Sequence, residues 1–330
     1  MASADVGDDT FGEDPTARRL EEAVAESLGV EAALLLLSGT MANLVALMVH
    51  CAPGDEVFLD ADAHVLRNEA GGLSAIAGVV PTTVAATRGH MNPDALERAV
   101  RPTAVFRPRA RLAWLENTHN RGGGSVLRPD RQAELMDVAR RHGLTIHLDG
   151  ARLFNAAVAL DRPARDLAVG LDSVMLDFTK GLSCGVGAAL GGSRGFIAEA
   201  RRARRVLGGG MRQAGLIAAG CLVALETTVA RLADDHAVAR YLAHELAGVP
   251  GFRVDPDLVE TNIVFADVRE LGGAERVASA LAEAAVRVST APPDSIRLVA
   301  HRHVDRRAAE VAVGRIAAAT AALARPSVVG

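Results

Sequence analysis

Aromatic side chains are scarce, at 3% of 330 residues, with one Trp and one Tyr. A chain of this length can bury a large core. That core must therefore come from Ala, Val and Leu, within a hydrophobic content of 49%. A basic excess is missing too. The formal net charge of -4 excludes a broad cationic face for nucleic acid or anionic lipid. Charged residues or Gly interrupt each apolar stretch before it reaches membrane-spanning length, so no membrane partner is expected. The opening MASADVGDDT is acidic and lacks both a positive leader and an apolar segment, which predicts no secretory signal. The three cysteines, Cys51, Cys184 and Cys221, form no metal-spaced pair. They predict buried thiols in a reducing compartment, no metal and a cytoplasmic protein.

Lysine is the sharpest deficit. Of 36 Lys and Arg residues only Lys180 is a lysine. Guanidinium can replace ammonium on a solvated surface, but it cannot lose its proton or form a Schiff base. A chain that keeps one amine and otherwise uses Arg points to chemistry at that amine.

What is present is a regular alternation. Residues 13–28 have helical spacing, with Leu20, Val24 and Leu28 on one face. Strands are predicted at 32–37, 55–59, 76–80, 111–115, 145–148 and 173–178, with helices at 41–50 and 129–142. Strands alternating with helices predict an α/β fold with a mainly parallel, helix-covered sheet. A long helical stretch over 213–246 leads to a smaller α+β unit with strands near 263–265 and 296–299. The expected division is a large domain, 1–232, and a small C-terminal domain, 233–330.

Ligands of open α/β sheets collect at the carboxyl ends of the strands. Four polar clusters fall there: Ser38-Gly39-Thr40, Glu116 to Asn120, Asp149 to Arg152, and Thr179-Lys180. Ser38-Gly39-Thr40 opens a helix and suits an anion, or serves as a plain N-cap. Asp149 suits a pyridinium N–H, or pairs with Arg152. Lys180 suits a cofactor aldehyde. His64 and His119 follow strands and are candidate acid–base groups. Gly208-Gly209-Gly210 precedes Met211-Arg212, a flexible turn that could carry a guanidinium to a phosphate. Gly185-Val186-Gly187 with Gly191 lacks the spacing and context of a dinucleotide fingerprint.

Together these motifs resemble the low-specificity L-threonine aldolases, of the β-eliminating lyase/threonine aldolase group of fold-type I pyridoxal-phosphate enzymes. The matching stretches are Val6-Gly7-Asp8-Asp9, Gly12 to Thr16, Ser38 to Met41, Glu116 to Asn120, His147 to Arg152, Lys180-Gly181-Leu182, Gly208 to Arg212 and Arg297 to His301. They run in family order. The resemblance implies a seven-stranded, mainly parallel sheet with a small α+β domain, and pyridoxal 5'-phosphate as cofactor. It implies that Lys180 is the Schiff-base lysine and that Asp149 partners the ring nitrogen. Gly39 and Thr40 would form the phosphate cup, Ser38, Arg152 and Thr179 would also bind the cofactor, and His64 would stack on the ring. His119 would lie near the substrate hydroxyl, and Arg152 and Arg297 would hold the substrate carboxylate. Arg212 would reach the phosphate in a neighbouring subunit, which implies a homodimer or homotetramer with shared active sites.

The activity implied is retro-aldol cleavage of threonine, allo-threonine or a related β-hydroxy-α-amino acid to glycine and an aldehyde. The sequence departs from the family at Phe11, where Tyr is usual, and at Asp177-Phe178-Thr179 before the lysine. A Ser-Asp-Thr segment, whose serine helps to hold the substrate carboxylate, has no counterpart before Val6. These departures leave open a transaldolase or β-eliminating lyase, and an inactive relative acting as a binding partner.

Overall fold

Asp14 starts the first helix by accepting the Ala17 N–H at 2.9 Å, and Pro15 is the first helical residue, where its missing N–H costs nothing. The helix, α1 (Pro15–Leu28), ends at Gly29 in the left-handed region. It buries Leu20, Val24 and Leu28, the face read from spacing. The computed structural model describes residues 1–321 and 323.

The chain continues through β1 (Ala32–Leu36), α2 (Gly39–His50) and β2 (Glu56–Asp60). Two one-turn helices follow, α3 (His64–Arg67) and α4 (Gly72–Ala75), then β3 (Val80–Val84) and the short ladder β4 (Ala86–Thr87) and β5 (His90–Met91). Next come α5 (Pro93–Ala99), β6 (Ala110–Glu116), α6 (Pro129–Arg141), β7 (Thr145–Gly150), α7 (Leu153–Leu160) and α8 (Ala164–Ala168). The run closes with β8 (Ser173–Asp177), β9 (Ala188–Gly192), α9 (Arg194–Val206) and α10 (Gly215–Thr227). Seven of these strands form one sheet in the order β1-β9-β8-β7-β6-β2-β3. Only β9 pairs antiparallel with its neighbours; the other pairs are parallel. Its core is aliphatic, as the composition required: Leu34, Leu36, Val45, Leu47, Val57, Leu59 and Leu112 are fully buried, with Trp114 among them.

The chain separates into two compact units, one made of Met1–Gly122 with Val126–Ala230, the other of Gly123–Ser125 with the chain from Arg231 on. The second contains α11 (Leu232–Ala247), β10 (Ile263–Asp267), α12 (Ala274–Glu283), β11 (Ser289–Ala291), β12 (Ser295–Val299) and α13 (Arg306–Ala321). Its three strands form an antiparallel sheet, β10-β12-β11, packed on its own core of Leu242, Leu246, Val264, Val277, Leu281 and Ile296.

Three expectations change. The strand expected at 76–80 begins where it was to end, because Gly78 adopts a positive φ of 69°. Pro81 is then accommodated within β3, which is an edge strand. The stretch 213–246 is two helices, interrupted between Thr227 and Leu232. β9 was not expected at all. Its sequence, Ala-Ala-Leu-Gly-Gly, is buried throughout and shows no alternation. A Cβ on Gly191 would stand 2.8 Å from Leu28 Cδ1, and one on Gly192 2.8 Å from Phe196 Cδ1, so packing requires both glycines. No single helix among the described residues is long and apolar enough to cross a membrane.

Candidate active site

A cavity of about 130 Å³ in the N-terminal unit lies at the carboxyl ends of β1, β6, β7 and β8. Ser38, Gly39 and Thr40 line it where β1 gives way to α2, so this helix presents its positive N-terminal end there. Ser38 caps α2, its hydroxyl accepting the Met41 N–H at 3.2 Å.

Glu116 and Asp149 close β6 and β7, and both are buried. The Glu116 carboxylate accepts the backbone N–H groups of His64 and Asn120, each at 2.8 Å, which anchors the start of α3 over the sheet. Asp149 accepts the Asn43 amide at 2.8 Å on one oxygen and the Ala151 N–H at 3.1 Å on the other. Asn43 also donates to Glu69 at 2.8 Å, and the same Glu69 oxygen lies 2.8 Å from His64 Nδ1. A continuous chain therefore runs Asp149, Asn43, Glu69, His64. The ligand atoms of His64, Glu69 and Asp149 lie within 4.8 Å of one another, donor types that also suit a cation, but here hydrogen bonds join them. Burial, then the charges of Glu116 and Glu69, push the Asp149 carboxyl up to about 7. The Glu69 hydrogen bond raises the His64 imidazole above its ordinary value, against the effect of burial.

At the end of β8 the backbone turns through Asp177, Phe178 and Thr179 to Lys180. Asp177 accepts the Thr179 N–H at 2.7 Å and its hydroxyl at 2.6 Å. Lys180 Nζ lies 3.8 Å from the other Asp177 oxygen, and the lysine side chain is 39% exposed. Arg152 lines the same cavity, and burial lowers its guanidinium from its ordinary value.

The structure thus brings together Ser38, Gly39, Thr40, His64, Asp149, Arg152, Thr179 and Lys180. It does not bring His119 there. That ring is fully buried, Nε2 lies 3.1 Å from Asp60, and Nδ1 accepts the Gly122 N–H at 2.9 Å. Both nitrogens are engaged in holding the loop after β6, and Nε2 also lies 3.7 Å from Glu116, which lines the cavity. Arg212 is outside the cavity, exposed and paired with Asp8 at 2.8 Å. Arg297 belongs to the C-terminal unit, on β12 in register with Phe265 and Ser289. Sequence reasoning placed Glu116 only within a polar cluster and did not single out Asn43, Glu69 or Asp177 as site residues. Asn43 carried a signal, a lone amide within the apolar run of α2; Asp177 stood at the end of β8, and Glu69, between α3 and α4, carried none.

Residues 1–270 match the family model of beta-eliminating lyases. The chain belongs to the beta-eliminating lyase/threonine aldolase family. It is 43% identical over 310 residues to low-specificity L-threonine aldolase 1 of Arabidopsis thaliana, covering 92% of this chain and 87% of the relative. It is 39% identical over 316 residues to the low specificity L-threonine aldolase of Escherichia coli strain K12, covering 94% and 92%. The fold matches that of the Leishmania major threonine aldolase at a TM-score of 0.82 and 18% identity, covering 96% and 92%.

Pyridoxal phosphate, named for serine palmitoyltransferase structures of this fold, is the cofactor, and the cavity fits that group. Asn43 Oδ1 and Arg152 Nε are buried without a hydrogen-bond partner among the described residues. Three carboxylates, Glu69, Glu116 and Asp149, line the cavity with Arg152, Lys180 and the ionisable His64. Such an acidic surround suits a protonated pyridine ring, and the sole lysine of the chain stands in the same space.

Proposed function

We propose that this enzyme cleaves L-threonine, L-allo-threonine or a related β-hydroxy-α-amino acid to glycine and an aldehyde. The observation that carries the reading is that one cavity holds the only lysine, the Asp149 carboxyl and the His64–Glu69 pair. The activity named for the Arabidopsis and Escherichia coli relatives supports it. When bound, pyridoxal phosphate supplies an electron sink for the pair left on Cα as the Cα–Cβ bond breaks. Lys180 would hold the cofactor covalently, Asp149 would keep a proton on its ring nitrogen, and Gly39 and Thr40, with Ser38 beside them, would hold its phosphate. His64, kept in place by Glu69, is suited to take the substrate's hydroxyl proton as the aldehyde carbonyl forms. A guanidinium fork matches a carboxylate, which assigns Arg152 to the substrate carboxylate, with Arg297 as a second candidate.

The small-molecule partners are thus an amino acid and an aldehyde. A cytoplasmic homodimer or homotetramer with shared active sites completes the reading. Exposed apolar side chains at Phe11, Val206, Leu216 and Val223 in the N-terminal unit support an oligomer, as does the position of Arg212 outside its own cavity. Purified protein with added cofactor should release glycine and acetaldehyde from threonine in equal amounts, and light scattering should give two or four chain masses. An aldehyde that appears only when a second acceptor is supplied would replace this reading with a transaldolase; ammonia release would replace it with a β-eliminating lyase.

A further inference from the structure

Among the residues lining the cavity, Asp177 is a carboxylate aimed at the end assigned to the phosphate. Its Oδ2 would lie 2.9 Å from a Cβ built on Gly39, the first residue of α2, so the carboxylate stands beside the start of that helix. Its Oδ1 is fixed by the Thr179 N–H and hydroxyl. The residue is 7% exposed, so little water screens it. Lys180 Nζ, at 3.8 Å, is its ion-pair partner.

We propose that Asp177 is a positioning residue with two opposed effects: it orders the Lys180 turn through Thr179, and it sets the cofactor's affinity by opposing the phosphate at the α2 N-terminus. The inference rests on the pyridoxal-phosphate reading of the cavity. A carboxylate beside the first residue of α2 shares the positive end of that helix with any phosphate held there. A second anion must bind beside it. The consequence is a cofactor held by the Lys180 bond and the ring contacts more than by its phosphate.

Asp177→Asn separates the two effects, because the amide oxygen still accepts both Thr179 bonds while the charge is gone. Cofactor-free parent and variant would be titrated with inorganic phosphate, with pyridoxal phosphate and with pyridoxal, which lacks the phosphate. The variant should bind phosphate and pyridoxal phosphate on the order of tenfold more tightly, the scale of a like charge several ångströms away in a partly wet site. Pyridoxal affinity, which senses only the loss of the Lys180 ion pair, should change less than phosphate affinity. Asp177→Ala, which also loses the Thr179 bonds, should bind pyridoxal less tightly than Asp177→Asn. Equal or weaker phosphate binding by Asp177→Asn overturns the inference while leaving the cofactor reading standing. A parent protein that gains no Lys180-dependent visible absorbance with pyridoxal phosphate overturns both.

Discussion

Glu116 and Asp149 stand opposite each other in register at the carboxyl ends of β6 and β7, two buried carboxylates on neighbouring strands. Their environments divide the work. Glu116 is anchored by two backbone N–H groups, whereas Asp149 has one amide, one N–H and the neighbouring negative charges.

That asymmetry makes the cofactor-free protein sensitive to pH. Asp149 has its folded value raised from 3.8 to about 7. Its contribution to stability is therefore complete below about pH 4 and is lost as pH rises through 7. Asp149→Asn removes the loss. Cofactor-free Asp149→Asn should be more stable than the parent at pH 8 by up to about 4 kcal/mol, three units at about 1.36 kcal/mol each, and the advantage should vanish near pH 4. Denaturant melts at both pH values check this. The same variant should gain less melting temperature from pyridoxal phosphate than the parent does.

Lys180→Arg should leave the fold intact and abolish the lysine-dependent visible absorbance of the bound cofactor. The side chain is 39% exposed and pairs only at 3.8 Å, so the stability change should stay within about 0.5 kcal/mol, as for other surface substitutions. A guanidinium cannot take over the covalent role. An absorbance spectrum and a thermal melt suffice.

His64→Ala should lower the cleavage rate by roughly 10²–10⁴-fold, the usual contribution of a positioned acid–base group. Glu69→Gln offers the finer measurement. Glu69 raises His64 through the bond to Nδ1, so the variant should move the acidic limb of the pH–rate profile to lower pH. An unmoved limb would show that His64 is not the base.

His119→Ala should act on stability instead. It deprives Asp60 and the Gly122 N–H of a partner and opens space beside Gly89, where even a Cβ would meet the ring at 2.0 Å. A loss of about 1–3 kcal/mol follows from the unsatisfied buried Asp60 Oδ2, whose other oxygen keeps the Asp62 N–H at 2.7 Å, with the acidic limb of the pH–rate profile unchanged.

The contrast between the two histidines shows what was legible. Both follow strands and both look like acid–base groups in the sequence. Only the fold reveals that α3 brings His64 to the cavity while the loop after β6 turns His119 back onto Asp60. Strand ends were legible because apolar runs stop at polar residues, and Lys180, Asp149 and Ser38 were found that way. Glu69 was not, because its place depends on Asn43, twenty-six positions earlier, reaching it across the cavity. β9 was hidden for a different reason: it is buried on both faces, and its glycines respond to neighbours such as Leu28 and Phe196 that no local pattern names.

The single lysine carries a further consequence. Aldehydes damage proteins chiefly by condensing with primary amines, and guanidinium groups do not form those imines. An enzyme that releases an aldehyde is its own nearest target. In this chain the aldehyde meets no side-chain amine beyond Lys180, and that one is in the cavity and reserved for the cofactor. With arginine as the cation everywhere else, the charged side chains of the surface form no imine with that product.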